Sequence, residues 1–146
     1  MGAVTTVMVA GKFDPLHEGH LLHILQAAAL GDFLLVVTHS DEAVIEARRR
    51  ENKPAVCHVP LWARMAMLRA VMGYYRIQGR VVLAKDTDGT VTETLKEFRP
   101  NVFAKGGDRT PANMPENEVL TCNHFGVRLS YGIGQQLNSS SNIGKE

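Results

Sequence analysis

Two hydrophobic rhythms alternate along this chain. Short unbroken apolar runs at 4–10, 33–38, 79–84, 101–104 and 126–129 are rich in β-branched residues and bounded by Gly, Asp, Asn or Pro. Such runs predict strands buried on both faces, as in a parallel sheet. Between them, apolar residues recur at helical spacing: Leu21, Leu22, Ile24, Leu25 and Ala28, then Ala43, Val44 and Ala47. Ser40 or Asp41 is placed to cap the second of these helices, which ends in Arg48-Arg49-Arg50 at the negative end of its dipole. Pro60 opens a third helix whose Trp62, Met65, Met67, Leu68 and Val71 predict a core-facing stripe. Thr90 with Glu93 three residues on resembles a capping box for a fourth helix, stopped at Arg99-Pro100. A fifth is predicted over 115–124. Strand and helix in alternation predict an α/β, Rossmann-like, doubly wound domain with a mostly parallel five-stranded sheet, and the whole of 1–146 reads as that single domain.

Composition adds little. The 146 residues carry 45% hydrophobic and 21% charged side chains and a net charge of +1, ordinary for a globular chain. That balance argues against nucleic acid or an anionic membrane as partner. The apolar runs are too short to span a bilayer, and 1–9 lacks a basic start and cleavage site, so a cytoplasmic protein is expected. Cys57 and Cys122 match no zinc or redox spacing and read as small hydrophobes.

The chemistry is concentrated in Gly11-Lys12-Phe13-Asp14-Pro15-Leu16-His17-Glu18-Gly19-His20, between the first strand and the first helix. A glycine in such a turn allows close backbone approach, and free N–H groups at a helix start favour an anion. His17 and His20, three apart, can aim their rings the same way. Read as isolated residues, the pair would be surface groups or helix caps; His17, His20 and His23 would also allow a metal site, although no cysteine lies near and Asp14 and Glu18 are the only carboxylates in the run.

This run resembles the signature of the cytidylyltransferase-like superfamily of nucleotidyltransferases, Gly-x-Phe-Asp-x-x-His-x-Gly-His, and fills each of its fixed positions. The resemblance implies nucleotide contacts from Gly11, Lys12, Phe13, Asp14 and Gly19, and charge stabilisation by His17 and His20 as the α-phosphate is attacked. Asp14 is expected to orient the turn or to help hold Mg2+, which triphosphate chemistry implies; no protein metal site is expected. A Lys-Pro...Pro-x-x-x-Arg-x-x-x-Leu pattern sets Lys53 and Arg64 where the family borders the phosphates. Lys105-Gly106-Gly107-Asp108, past the fourth strand, is similar to the heptose-phosphate adenylyltransferases, and implies nucleotide contacts from Lys105, Gly107 and Asp108. Where related cytidylyltransferases carry an aromatic, this chain has Arg109, which suits an anionic acceptor better than choline. Arg128 is a second candidate for substrate binding. Ser139-Ser140-Ser141-Asn142-Ile143 is similar to the family's second signature, which implies contacts to the β- and γ-phosphates.

The expected reaction moves a nucleoside monophosphate from a nucleoside triphosphate, ATP ahead of CTP, to a phosphorylated sugar or polyol, releasing pyrophosphate. A CTP-dependent enzyme acting on glycerol phosphate is the runner-up, and a nucleotide-binding sensor without turnover is the alternative of another class. Homodimers are common among relatives of the fold, so a homodimer is expected.

Overall fold

In the computed structural model, which describes residues 3–107 and 109–134, the continuous apolar runs do become the sheet. The elements in order are β1 (Thr6–Gly11), α1 (Glu18–Ala28), β2 (Phe33–Thr38), α2 (Asp41–Arg50), α3 (Leu61–Tyr74), β3 (Gly79–Leu83), α4 (Thr92–Phe98), β4 (Val102–Ala104), α5 (Glu116–Phe125) and β5 (Arg128–Ser130). The strand order is β3-β2-β1-β4-β5, and all four pairings are parallel. The sheet is thus wholly parallel.

Side-chain alternation in the strands feeds two cores. Val7, Val9, Leu34 and Val36 pack with Ile24, Ala27, Leu68 and Met72, which belong to α1 and α3. Met8, Leu35 and Val37 point to the other face, against Val91, Leu95 and Cys122 at α4 and α5. Burial on both faces is why these strands read as unbroken apolar runs rather than alternating ones. The chain turns from one side of the sheet to the other between β1 and β4, so the crevice of a doubly wound sheet opens beyond the carboxyl ends of these strands.

Three local expectations need correction. Trp62 is 75% exposed and Met67 46% exposed, whereas Leu68 is buried and Met65 and Val71 pack against the core beside Arg64 and Met72; the predicted stripe is therefore divided between core and solvent. The helix is apolar nearly all round, so periodicity alone does not distinguish its faces. At α4 the cap comes from Asp86, whose carboxylate accepts from the Glu93 and Thr94 amides. Thr90 instead bonds Asp88. The fifth strand begins two residues later than expected, after Gly126 closes α5 in the left-handed conformation.

Gly79 is demanded by the sheet. A Cβ there would stand 1.9 Å from the Leu34 carbonyl oxygen, with which β3 is in register. Gly79→Ala is expected to destabilise the fold by about 1–3 kcal/mol through this overlap, read as a fall of several degrees in the melting temperature. Among the described residues, no helix is long and apolar enough to cross a membrane.

Candidate active site

A cavity of about 690 Å³ opens at the carboxyl ends of the strands. One wall carries Gly11, Lys12, Phe13, His17, Gly19 and His20; the facing wall carries Thr90, Val91 and Glu118, with Lys105, Gly106, Gly107 and Arg109 between.

The turn leaving β1 is held in a strained form. Phe13 has φ 52°, in the left-handed region unusual for a bulky residue. It is nevertheless buried, at 1% exposure, and its ring meets the His20 ring edge-on at 5.0 Å. Gly11 gives that ring room, since a Cβ there would come within 3.2 Å of it. Packing of the phenyl ring into the α1/α3 core holds the strained backbone in place.

His17 caps α1. Its Nδ1 accepts a hydrogen bond from the Gly19 amide at 3.0 Å, and the His20 Nδ1 accepts from the His17 amide at 3.3 Å. The two rings thereby form a reciprocal capping box and lie stacked, with centroids 3.8 Å apart and planes 29° from parallel. The helix cap and the pair of rings aimed the same way, alternatives in sequence, are one arrangement. It also fixes the tautomer. A neutral imidazole whose Nδ1 accepts must carry its proton on Nε2, so each ring is left with an Nε2–H donor. Burial, with the neighbouring His17 and His23, lowers the His20 pKa to about 4, which keeps it neutral near pH 7. The expectation of free amides at this helix start changes accordingly: His17 and Gly19 give their N–H groups to the rings.

His23 does not join a metal triad. Its Nδ1 bonds the Ile133 carbonyl at 2.7 Å, tying α1 to the 131–134 segment, where the Gly134 amide also donates to the Gln26 side chain. Among the described residues, no three His, Cys, Asp or Glu side chains come together as a metal site.

Asp14 is buried and turned away from the cavity. Its carboxylate accepts from Arg48 and from the His58 and Val59 amides. Burial raises its pKa, but the bonds from His58, Arg48 and Val59 outweigh this and hold it below the usual range. Both oxygens are engaged, which fits the expectation that Asp14 orients the turn and leaves neither oxygen open for a nucleotide or Mg2+. The basic triplet is divided: Arg48 makes this internal pair, Arg49 pairs with Glu46, and Arg50 lines the cavity and donates to the Asp88 carbonyl.

Arg64 also departs from expectation. It is 1% exposed, and its guanidinium donates to the carbonyls of Val59, Lys12 and His39, the Thr38 hydroxyl and the Asp41 carboxylate. It joins the ends of β1 and β2, the start of α2 and the loop before α3, and it does not line the cavity. Lys53 is exposed and bonds Glu51 at 3.1 Å; Glu51 lines the cavity, whereas Lys53 does not. Lys12, which does line it, bonds the other Glu51 oxygen at 3.2 Å. Arg128 sits exposed at the start of β5, paired with Val102 at the start of β4, on the end of the sheet away from the site. A cation in a short strand carries no sequence signal of which end it occupies.

Lys105, Gly107 and Arg109 are brought to the cavity as expected. The Lys105 amine lies 4.4 Å from the centre of the Phe103 ring and 3.8 Å from Glu118 Oε1; burial pushes its pKa down, against the pull of Glu118. Arg109 donates to the Asn113 carbonyl at 2.8 Å. Asp108, Ser139, Ser140 and Ser141 lie outside the described residues.

Among the cavity-wall residues that sequence reasoning passed over, two are buried polar groups. His39 is buried just past β2, with Nδ1 unpartnered among the described residues; its place after a strand end was the available signal. Glu118, buried in the first turn of α5, reads in sequence as an ordinary acid at a helix start, so nothing marked it.

Comparison with known proteins agrees with this architecture. The sequence profile described as cytidylyltransferase-like matches residues 8–130. The bifunctional protein HldE of Aeromonas hydrophila is 34% identical over 84% of this chain, which spans 24% of that protein. The D-beta-D-heptose 1-phosphate adenylyltransferase of Bordetella bronchiseptica is 29% identical over 78% of the chain and 65% of its own length. The chain thus spans about a quarter of the bifunctional relatives it matches. In fold it is similar to a lipopolysaccharide core biosynthesis protein from Thermoplasma volcanium, with TM-score 0.66 and 24% identity over 92% of this chain and 99% of that one. It is also similar to a bifunctional NMN adenylyltransferase/ADP ribose pyrophosphatase from Francisella tularensis, with TM-score 0.61 and 12% identity over 98% of this chain and 42% of that one. A profile matched from β1 to β5, on a parallel sheet that presents the paired histidines at its carboxyl edge, means that the chain belongs to the cytidylyltransferase-like family of nucleotidyltransferases.

Proposed function

We propose that this protein is an adenylyltransferase that moves AMP from ATP to a sugar phosphate of the heptose 1-phosphate class. An acceptor phosphate oxygen attacks the α-phosphorus in line; the new P–O bond forms as the bond to the β-phosphate bridge breaks, and pyrophosphate leaves. Such transfers depend on positioning and on stabilising charge at the phosphate oxygens. The observation that carries the reading is the stacked His17–His20 pair, whose Nδ1 atoms are occupied by backbone amides and whose Nε2–H groups remain to donate. Two neutral donors on a helix start fit an oxyanion-stabilising role.

The other roles follow. Gly11, Lys12, Phe13 and Gly19 frame the triphosphate, Gly107 with Asp108 and Ser139–141 complete the nucleotide contacts, and Lys105 and Arg109 meet the acceptor phosphate. Arg64 supports this site from behind through the Lys12 and His39 carbonyls. The acceptor phosphate, with a second pKa of about 6, arrives already ionised, so no protein base is required. Mg2+ would supply charge neutralisation on the triphosphate.

Two features favour a sugar phosphate with ATP: the Lys105-Gly106-Gly107 turn leading into Arg109, and relatives named for heptose 1-phosphate adenylylation. The test is pyrophosphate release with ATP or CTP at equal Mg2+, each offered D-β-D-heptose 1-phosphate or glycerol phosphate. Release with ATP and the heptose phosphate is expected. Release confined to CTP and glycerol phosphate would replace this reading with a cytidylyltransferase, and tight ATP binding without release in any pairing would point to a sensor.

A further inference from the structure

One buried carboxylate in the cavity wall is only half used by the fold. Glu118 is 4% exposed. Its Oε2 accepts from the Val91 amide at 3.1 Å, which joins α5 to the start of α4. Its Oε1 is buried with no close hydrogen-bond donor among the described residues; it is ion-paired with the Lys105 amine at the long distance of 3.8 Å. Burial pushes the Glu118 pKa up, against the pull of Lys105, and leaving a buried carboxyl oxygen without a donor is costly, so such a group in a native protein needs a reason. The structural hydrogen bond is made by the other oxygen, and the long ion pair with Lys105 neutralises charge without giving Oε1 a donor in contact.

The neighbours indicate what the missing donor belongs to. Lys105 and Arg109 place two cations in the same cavity, and these suit a phosphate. A carboxylate beside them repels a phosphate but accepts from a neutral O–H group. The histidine pair stands on the α1 side of the sheet, whereas Glu118 reaches the cavity from the α4/α5 side. A ligand meeting both Lys105 and Glu118 therefore presents an anionic group and a hydroxyl close together. We infer that Glu118 is a specificity-determining residue whose Oε1 accepts a hydrogen bond from a hydroxyl of the phosphorylated acceptor, so that the site selects polyhydroxylated sugar phosphates over acceptors lacking that group. This inference rests on the sugar-phosphate reading above and deepens it. A site built around an acceptor-only oxygen discriminates strongly, because an analogue without the hydroxyl leaves the carboxylate unpaired.

The experiment compares wild type with Glu118→Gln, using D-β-D-heptose 1-phosphate and its single-hydroxyl deoxy analogues as acceptors. Pyrophosphate release gives kcat and KM for each acceptor, and calorimetry gives ATP affinity. In wild type, one deoxy analogue is expected to lose about 10- to 100-fold in kcat/KM, the range of a hydrogen bond to a charged group. Glu118→Gln is expected to lose a similar factor with the parent acceptor, mainly through KM, with little further loss for that analogue and unchanged ATP affinity. This coupling is the signature of a direct contact. Equal losses by the variant with parent and deoxy acceptors would overturn the inference, since an effect through Lys105 or the Val91 bond is blind to the hydroxyl. Loss of ATP affinity with acceptor selectivity intact would overturn it in favour of a contact to the nucleobase amine. Absence of pyrophosphate release from wild type with every sugar phosphate would instead overturn the function on which it rests. If Glu118→Gln melts well below wild type, Glu118→Asp replaces it: a carboxylate withdrawn by one carbon keeps the charge, and is expected to lose the discrimination while still binding the parent acceptor weakly.

Discussion

Replacing His20 by alanine is expected to lower kcat by about 100-fold or more, the range seen when one oxyanion-stabilising donor is removed. On the proposed function, ATP affinity is expected to fall much less, because the donor matters most when charge grows on the α-phosphate oxygens. The substitution also opens the capping box by freeing the His17 amide, which costs about 1 kcal/mol of helix stability. His20→Gln separates the two effects: a glutamine at this third helical position can accept from the His17 amide as the ring does. It does not reproduce the ring's stacking on His17 or its edge contact with Phe13. The glutamine variant is therefore expected to melt near wild type and still to turn over slowly. Near-wild-type turnover in both variants would remove His20 from the chemistry. The ring's protonation gives an independent check. Its pKa of about 4 lies below the ordinary histidine value, so His20 stays neutral as pH falls through 6 and takes a proton only near pH 4. Nitrogen chemical shifts from ring-labelled protein are expected to report the Nε2–H tautomer across the neutral range. The stability sign follows: the unfolded chain binds this proton first, so folding stability is full above the ordinary histidine pKa and declines as pH drops from there toward about 4.

The second large effect concerns stability. Arg64→Ala is expected to cost about 3–5 kcal/mol, the range for removing one partner of a buried charged network. For a domain of this size that lowers the melting temperature by about 10–20 °C. The loss is large because the guanidinium is buried among several acceptors: the Lys12, His39 and Val59 carbonyls and the Thr38 hydroxyl all lose a donor at once. Arg64→Lys restores the charge but has no planar fork with which to reach acceptors on four segments, so it recovers only part of the stability. ATP binding is expected to weaken with Arg64→Ala, because Lys12 and His39, which line the cavity, are both tied to this guanidinium. A variant that melts like wild type yet loses turnover would return Arg64 to the phosphate site.

The sequence by itself determined the parallel sheet, the order of its elements and the turn that presents the paired histidines at the cavity. Unbroken apolar runs have a single economical solution, burial on both faces, and Gly11, Phe13, His17, Gly19 and His20 lie within ten residues, where local geometry alone sets their relation. The cap and the histidine pair are legible for the same reason. Only the tertiary structure decided where the cations belong. Lys53, Arg64 and Arg128 are alike in sequence as basic residues at suggestive spacing, yet one bonds Glu51, one is enclosed between strand ends, and one stands at the far end of the sheet. Which acceptors surround a guanidinium depends on segments distant in sequence, from Lys12 to Val59 for Arg64. Glu118 likewise becomes a cavity residue only when α5 packs beside the start of α4, bringing it to the Val91 amide across 27 residues of sequence. Periodicity records which face of an element is apolar; it carries no information about which polar groups from remote elements will meet.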